Sequence, residues 1–165
     1  MASVDPQAEL RRVLIVGLTG EDPHMRFEDA VAEFSADAIN VRPPNVGYSP
    51  WHLVEHLRVT QWDILEYVRD PGHVSPEWPR EYWPDRSAMA TLDQFRASVE
   101  GFLADRAALE AIARDPSVDL LAPMAHAPEH SIARELRVVA NHNSYHVGEL
   151  AVLRQVTGSW GPSHR

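Results

Sequence analysis

The chain has 165 residues, enough for one domain with a real core, and its 44% hydrophobic and 24% charged content is that of an ordinary soluble globular protein. A net charge of −9 argues against nucleic acid or an anionic membrane as the partner. There is no cysteine, which excludes disulfides, zinc ribbons and a protein thiol nucleophile; all 15 basic residues are arginine, which excludes lysine Schiff-base chemistry.

In chain order, the first stretch runs from about Pro6 to Asn40 and is broken near Gly17-Leu18-Thr19-Gly20 and Pro23. It predicts a short helix, a turn and a second helix from about Met25. The apolar run Val13 to Leu18 is too short to span a bilayer and lies behind Asp5 and Glu9, so no signal peptide is visible and a cytoplasmic location is expected. Val41 to Gly47, with Pro43-Pro44, reads as a loop. Ser49-Pro50 then opens a long helix, with serine as N-cap and proline in the first helical position. Leu53, Val54, Leu57, Ile64, Leu65 and Val68 carry its apolar face up to Pro71-Gly72. At about 20 residues it spans roughly 30 Å.

Residues 71 to 90 hold four prolines together with Trp78, Tyr82 and Trp83. That is too proline-rich for helix and too aromatic for a disordered linker, and predicts an ordered loop packed on the domain, over a pocket or as structural cover. Thr91-Leu92-Asp93-Gln94 is a capping-box pattern that opens the next helix, which stops at Asp115-Pro116. A loop with Pro123 and Pro128 follows. The last helix runs from about Ser131 to Thr157 and stops at Gly158. Its seam, Ile132, Leu136, Val139, Asn143, His146, Leu150 and Leu153, has the spacing of a bundle helix. Long helices joined by loops predict an all-α fold, an antiparallel four-helix bundle occupying residues 1–165 as a single domain.

The seam of the last helix is apolar at both ends and polar in the middle. Asn143 and His146 occupy its centre, and His142 lies one turn before His146 on the same face. Two imidazoles at i and i+4 can share one metal ion. His56 flanks the apolar stripe of the Ser49-Pro50 helix and can supply a third ligand; His52, one turn earlier, is also a candidate. Spacing alone leaves a second reading open, core histidines hydrogen-bonded to Asn143 or to backbone. A rival is also present: His52-Leu53-Val54-Glu55-His56 matches the inverted zinc-peptidase pattern, in which both histidines bind zinc and the glutamate activates water. That pattern leaves the 142/146 pair unexplained.

Three segments carry a family resemblance: Ser49-Pro50-Trp51-His52-Leu53-Val54-Glu55-His56-Leu57, His130 to Leu136, and above all Asn141-His142-Asn143-Ser144-Tyr145-His146-Val147-Gly148-Glu149-Leu150. With the loop segment Glu81-Tyr82-Trp83-Pro84, they make the chain resemble the DinB-like (YfiT-like) superfamily of four-helix-bundle metalloproteins from about residue 25 to 157. The resemblance implies an up-down-down-up bundle, a homodimer, and a divalent zinc or nickel ion held by His56, His142 and His146. Position 149 is often glutamine in such proteins; here it is Glu149, which brings a carboxylate near the site.

Characterised relatives include thiol-dependent transferases and a mycothiol-dependent isomerase. Three neutral imidazoles leave a coordination position open, the pattern of a catalytic site. The first expectation is therefore a metal-dependent transferase. In it a low-molecular-weight thiol, activated by the metal, attacks an electrophilic small molecule. The second is a metal-dependent hydrolase with Glu149 or Glu55 as base. The third is a non-enzymatic metal-binding or stress-related dimer, whose site would be closed by His52 or Glu149 as a fourth ligand. Glu149 can alternatively be a surface carboxylate paired with Arg154. Tyr145, Trp51, Trp83 and Arg58 are pocket candidates or packing residues. His130 reads as a helix-start residue, and His24, His73, His126 and His164 as solvent-exposed.

Overall fold

Caps and apolar periodicity place three of the long helices where the sequence predicts them. The computed structural model describes residues 5–21 and 24–164. The fold is mostly helical: α1 (Ala8–Thr19), α2 (Phe27–Val31), α3 (Pro50–Arg69), α4 (Leu92–Arg114) and α5 (Ile132–Thr157), with a two-stranded hairpin, β1 (Pro123–Met124) and β2 (Ala127–Ser131), before α5. The Ser49 hydroxyl accepts the His52 N–H at the start of α3. Thr91 and Gln94 form the reciprocal capping box of α4. The Ser131 hydroxyl caps α5, which ends on Gly158 at φ 63°, a left-handed position that favours glycine. No helix among the described residues is long and apolar enough to cross a membrane.

α3 packs against α4 and α5, and α1 against α5 and α4. Two apolar clusters result. One gathers Phe27, Leu53, Leu57, Phe95, Phe102, Val147, Leu150 and Leu153. The other gathers Leu14, Leu18, Leu65, Leu109, Leu120, Leu136 and Val139. Each buried leucine contributes roughly 1.5–3 kcal/mol by leaving water. A polar layer lies between the clusters: Gln61 donates to the Phe102 carbonyl at 2.6 Å and accepts from the Asn143 amide at 2.9 Å. The seam of α5 is thus divided as its sequence suggests, with Leu136 and Val139 in one cluster and Leu150 and Leu153 in the other.

Two expectations need correction. The helix expected from Met25 to Asn40 is only the five residues of α2, after which Ala32 is extended and Glu33 has φ 56°. The cause is tertiary. Arg154 of α5 takes the carbonyls of Ala30 (2.8 Å) and Ala32 (2.6 Å), which a continuing helix would use itself. The second correction concerns the segment between α4 and α5, which forms a hairpin rather than a plain loop; Met124 pairs with Ala127 across its turn. Pro23 lies outside the described residues.

The segment 71–90 is an ordered loop, as its aromatics predict. His73 Nε2 lies 2.7 Å from Asp63 Oδ1, the Tyr82 hydroxyl donates to Asp63 Oδ2 at 2.6 Å, and Asn40 holds both backbone groups of Ala90 (2.8 and 2.9 Å). Burial, followed by the hydrogen bond to the Asp63 carboxylate, raises the Tyr82 pKa to about 12.

Candidate metal centre

α3 and α5 meet face to face across the polar layer, and three imidazoles converge there. One ligand nitrogen from each of His56, His142 and His146 lies within 4.8 Å of the others, an arrangement that could hold a metal ion. His56 Nε2 and His142 Nε2 face each other at 3.1 Å. In a tetrahedral zinc site with Zn–N near 2.0–2.1 Å, ligand nitrogens sit about 3.4 Å apart, so little movement separates the two arrangements.

The remaining ring nitrogens set the tautomers of two of the rings. His56 Nδ1–H donates to the Tyr82 carbonyl at 2.9 Å. His146 Nδ1–H donates to Glu149 Oε2 at 2.7 Å, and Glu149 Oε1 accepts the Tyr48 hydroxyl. Each of these bonds puts the proton on Nδ1 and leaves a lone pair on Nε2, the support that histidine ligands usually have. Trp83 stacks on His56 at 3.8 Å and 8°, which fixes the ring plane. His142 Nδ1 is buried without a partner among the described residues. The donor chemistry therefore fits a divalent transition-metal ion.

Burial disfavours the imidazolium form of all three rings. The His142 pKa falls to about 4 through burial and then the neighbouring His56, and that of His146 to about 3 through burial and then His142 and His56; His56 is lowered by burial. All three are neutral, lone-pair donors at neutral pH. A base with a depressed folded pKa binds fewer protons folded than unfolded, so its stability is present above the ordinary imidazole value of 6.5 and is lost on acidification. For chelator-treated protein we expect a flat urea midpoint from pH 7 to 8 and a progressive fall below 6.5, in steps toward 4 and 3. A His142→Ala variant should show a shallower fall. Equal slopes would mean that these rings do not carry the dependence.

His52 is not brought into the group. It is 1% exposed, but its Nδ1 lies 2.7 Å from the Ser49 hydroxyl and its Nε2 3.0 Å from the Asp85 carbonyl and 3.3 Å from Arg42. Glu55 is held by Arg58 (2.6 Å) and by the Ser98 hydroxyl (2.6 Å). Burial pushes its pKa up, but these two hydrogen bonds outweigh it and the net shift is downward. The inverted zinc-peptidase reading is thereby corrected: two positions of the pattern, His52 and Glu55, serve loop and helix packing, and only His56 joins the cluster.

The other candidates divide similarly. Trp83 reaches the site; Tyr145 is exposed, its ring roughly perpendicular to that of His146 with the centroids 4.9 Å apart. Trp51 packs against the core and meets His52 edge-on at 5.0 Å, while Arg58 serves Glu55. Glu149 is not paired with Arg154, whose guanidinium donates to the carbonyls of Ala30, Ala32 and Ser159. His130 is not the helix cap. It lies on β2, where the Tyr67 hydroxyl (2.9 Å) and Glu135 (3.3 Å) hold it. His73 and His126 are corrected from exposed to engaged, on Asp63 and on the Tyr67 carbonyl, and His24 is partly buried beside Ser144. The side chain of His164 lies outside the described residues.

Sequence reasoning missed Tyr48, Asp63 and the carbonyl of Tyr82. Tyr48 sits in a loop with no periodicity to place it, and a backbone acceptor has no side-chain signature at all. The Glu81-Tyr82-Trp83-Pro84 segment was the one available signal.

Neither a search of characterised proteins nor a search of solved structures finds a significant match. The family model described as the DinB superfamily matches residues 21–150, a span that contains α2, α3, α4 and all three clustered histidines. With most of its length matched, the chain belongs to the DinB superfamily.

Proposed function

We propose that the protein is a metal-dependent transferase that joins a low-molecular-weight thiol to an electrophilic small molecule at the His56–His142–His146 site. The convergence of three neutral imidazole nitrogens is the observation that carries this reading. A divalent ion, zinc or nickel, would supply Lewis-acid lowering of a thiol pKa there. The chain's own residues hold and orient: the Tyr82 carbonyl and Glu149 keep His56 and His146 in the Nδ1–H tautomer, and Trp83 shields one face of His56 from water. With no protein cysteine, the sulfur must come from a soluble thiol. That sulfur forms the S–C bond, the leaving group departs with its bonding pair, and the thiol proton goes to solvent. A cytoplasmic setting, which keeps such thiols reduced, and a homodimer are part of the proposal. So is an up-down-down-up order of α1, α3, α4 and α5, supported by the pairing of α3 with α4 and α5 and of α1 with α4 and α5.

Support over a purely structural or stress-related metal site comes from the donor set. Among the described residues no fourth histidine or carboxylate joins the group, so protein ligands alone would leave a position for a reactant. A hydrolase with Glu149 as base is a second reading. Its support is the raised Glu149 pKa, caused by burial, since a base works best near the operating pH. Monochlorobimane conjugation with a thiol panel that includes bacillithiol and mycothiol separates the two. We expect conjugation that is lost on chelation and restored by zinc or nickel. Ester hydrolysis without conjugation by any thiol would favour the second reading.

A further inference from the structure

Beside the metal centre is a cavity of about 580 Å³ lined by Tyr48, His52, Pro79, Trp83, Pro84 and Arg86 among others. That is the size range of small-molecule sites, and its wall is mostly apolar. It shares two walls with the histidine cluster: Trp83 stacks on His56, and Tyr48 donates to Glu149, which holds His146. The rings of Tyr48 and Trp83 lie 5.5 Å apart at 40°, and the rings of Pro79 and Pro84 add further flat apolar surface.

The charges at this cavity are unequal in their freedom. Arg80 is held by Glu77 (2.7 Å) and Glu81 (3.3 Å). The Asp85 carboxylate turns back onto Ser87, accepting its backbone N–H at 2.8 Å and its hydroxyl. Most arginines of this chain sit against a carboxylate. Arg86 is different: among the described residues it makes neither an ion pair nor a hydrogen bond. Arg42, which does not line the cavity, meets the Ala88 carbonyl and His52 Nε2, and its charge helps hold the Asp85 carboxylate ionised. In a protein of net charge −9, Arg86 is thus an exposed guanidinium at the lip of an aromatic cavity with no acid in contact, open to an anionic ligand.

We propose that this cavity binds the electrophilic substrate, and that the substrate is a planar aromatic or conjugated molecule bearing one carboxylate. Its flat body lies against Trp83 and Tyr48, and its carboxylate pairs with the Arg86 guanidinium, whose planar fork suits that group. As the substrate site of the transferase, the assignment rests on the reading given under Proposed function. As a binding site, it stands on the cavity and its charges alone.

The test uses the full chain, both chelator-treated and zinc-loaded. trans-Cinnamate and its neutral isostere cinnamide are titrated by tryptophan fluorescence and calorimetry. Cinnamate is expected to bind about tenfold tighter than cinnamide, as one charged hydrogen-bonded contact provides. Arg86→Gln should remove that difference while leaving cinnamide binding unchanged, and Arg86→Lys should restore part of it. The discrimination should persist after chelation. Cinnamate binding without any metal uptake would sink the metal centre and leave the cavity standing. Metal uptake with no discrimination between the two probes would overturn the cavity assignment. So would discrimination that survives Arg86→Gln, or that requires zinc, which would place the carboxylate on the ion.

Discussion

His142→Ala is expected to reduce bound divalent metal from one ion per chain to a level indistinguishable from background. His142 supplies the nitrogen that faces His56 at 3.1 Å, and without it only two donors remain, on different helices. Two imidazoles hold zinc far less tightly than three, and the lost ligand leaves no carboxylate poised to replace it, because Glu149 is already engaged by His146 and Tyr48. Glu149→Gln gives a graded result. The amide can keep one contact but cannot accept from His146 and Tyr48 with full charge, so affinity should fall by about 10–100-fold, the usual effect of removing a support to a metal ligand. Elemental analysis of tag-free protein checks the first variant and competition with a chromophoric chelator the second, each with circular dichroism to confirm the helices. Unchanged metal content in His142→Ala would remove the basis for the metal centre.

Arg154→Met is expected to destabilise the protein by about 3 kcal/mol or more, a fall in Tm of roughly 6–12 °C. Arg154 is fully buried and has no carboxylate partner in contact. Its charge is balanced instead by three carbonyls, of Ala30, Ala32 and Ser159, and by the faces of Phe34 at 4.0 Å and Trp160 at 4.2 Å. Methionine fills much of the space but leaves those carbonyls without donors in a dry interior. Arg154→Lys should also be destabilised, because one ammonium cannot serve carbonyls on both sides and stack between two rings. Calorimetry reads both. A methionine variant as stable as the parent would show that water replaces the guanidinium at no cost.

The long helices were legible because their causes are local. Ser49-Pro50, the Thr91–Gln94 box and Gly158 act within one turn of the chain, and apolar spacing does the rest. The same local geometry put His142 and His146 on one face of α5, since residues four apart in a helix are neighbours whatever surrounds them. The α2 region failed for the opposite reason: Arg154, more than a hundred residues away, takes the carbonyls its helix would have used. The hairpin before α5 is two short strands with no alternating pattern to reveal them.

Sequence by itself determined the helical class, the ends of the three long helices and the histidine pairs at positions 52/56 and 142/146. It could not separate His56 from His52 by spacing, because both flank the apolar stripe of α3 and the rotation of that helix depends on packing against α4 and α5. Tertiary structure decided it: packing turns His56 to His142 and gives His52 to Ser49 and Asp85. It also brought in what no pattern of side chains encodes, the Tyr82 carbonyl on His56 and the unpaired Arg86 beside Trp83. A backbone acceptor is the same atom at every residue, and a charge is unpaired only by what the fold places around it.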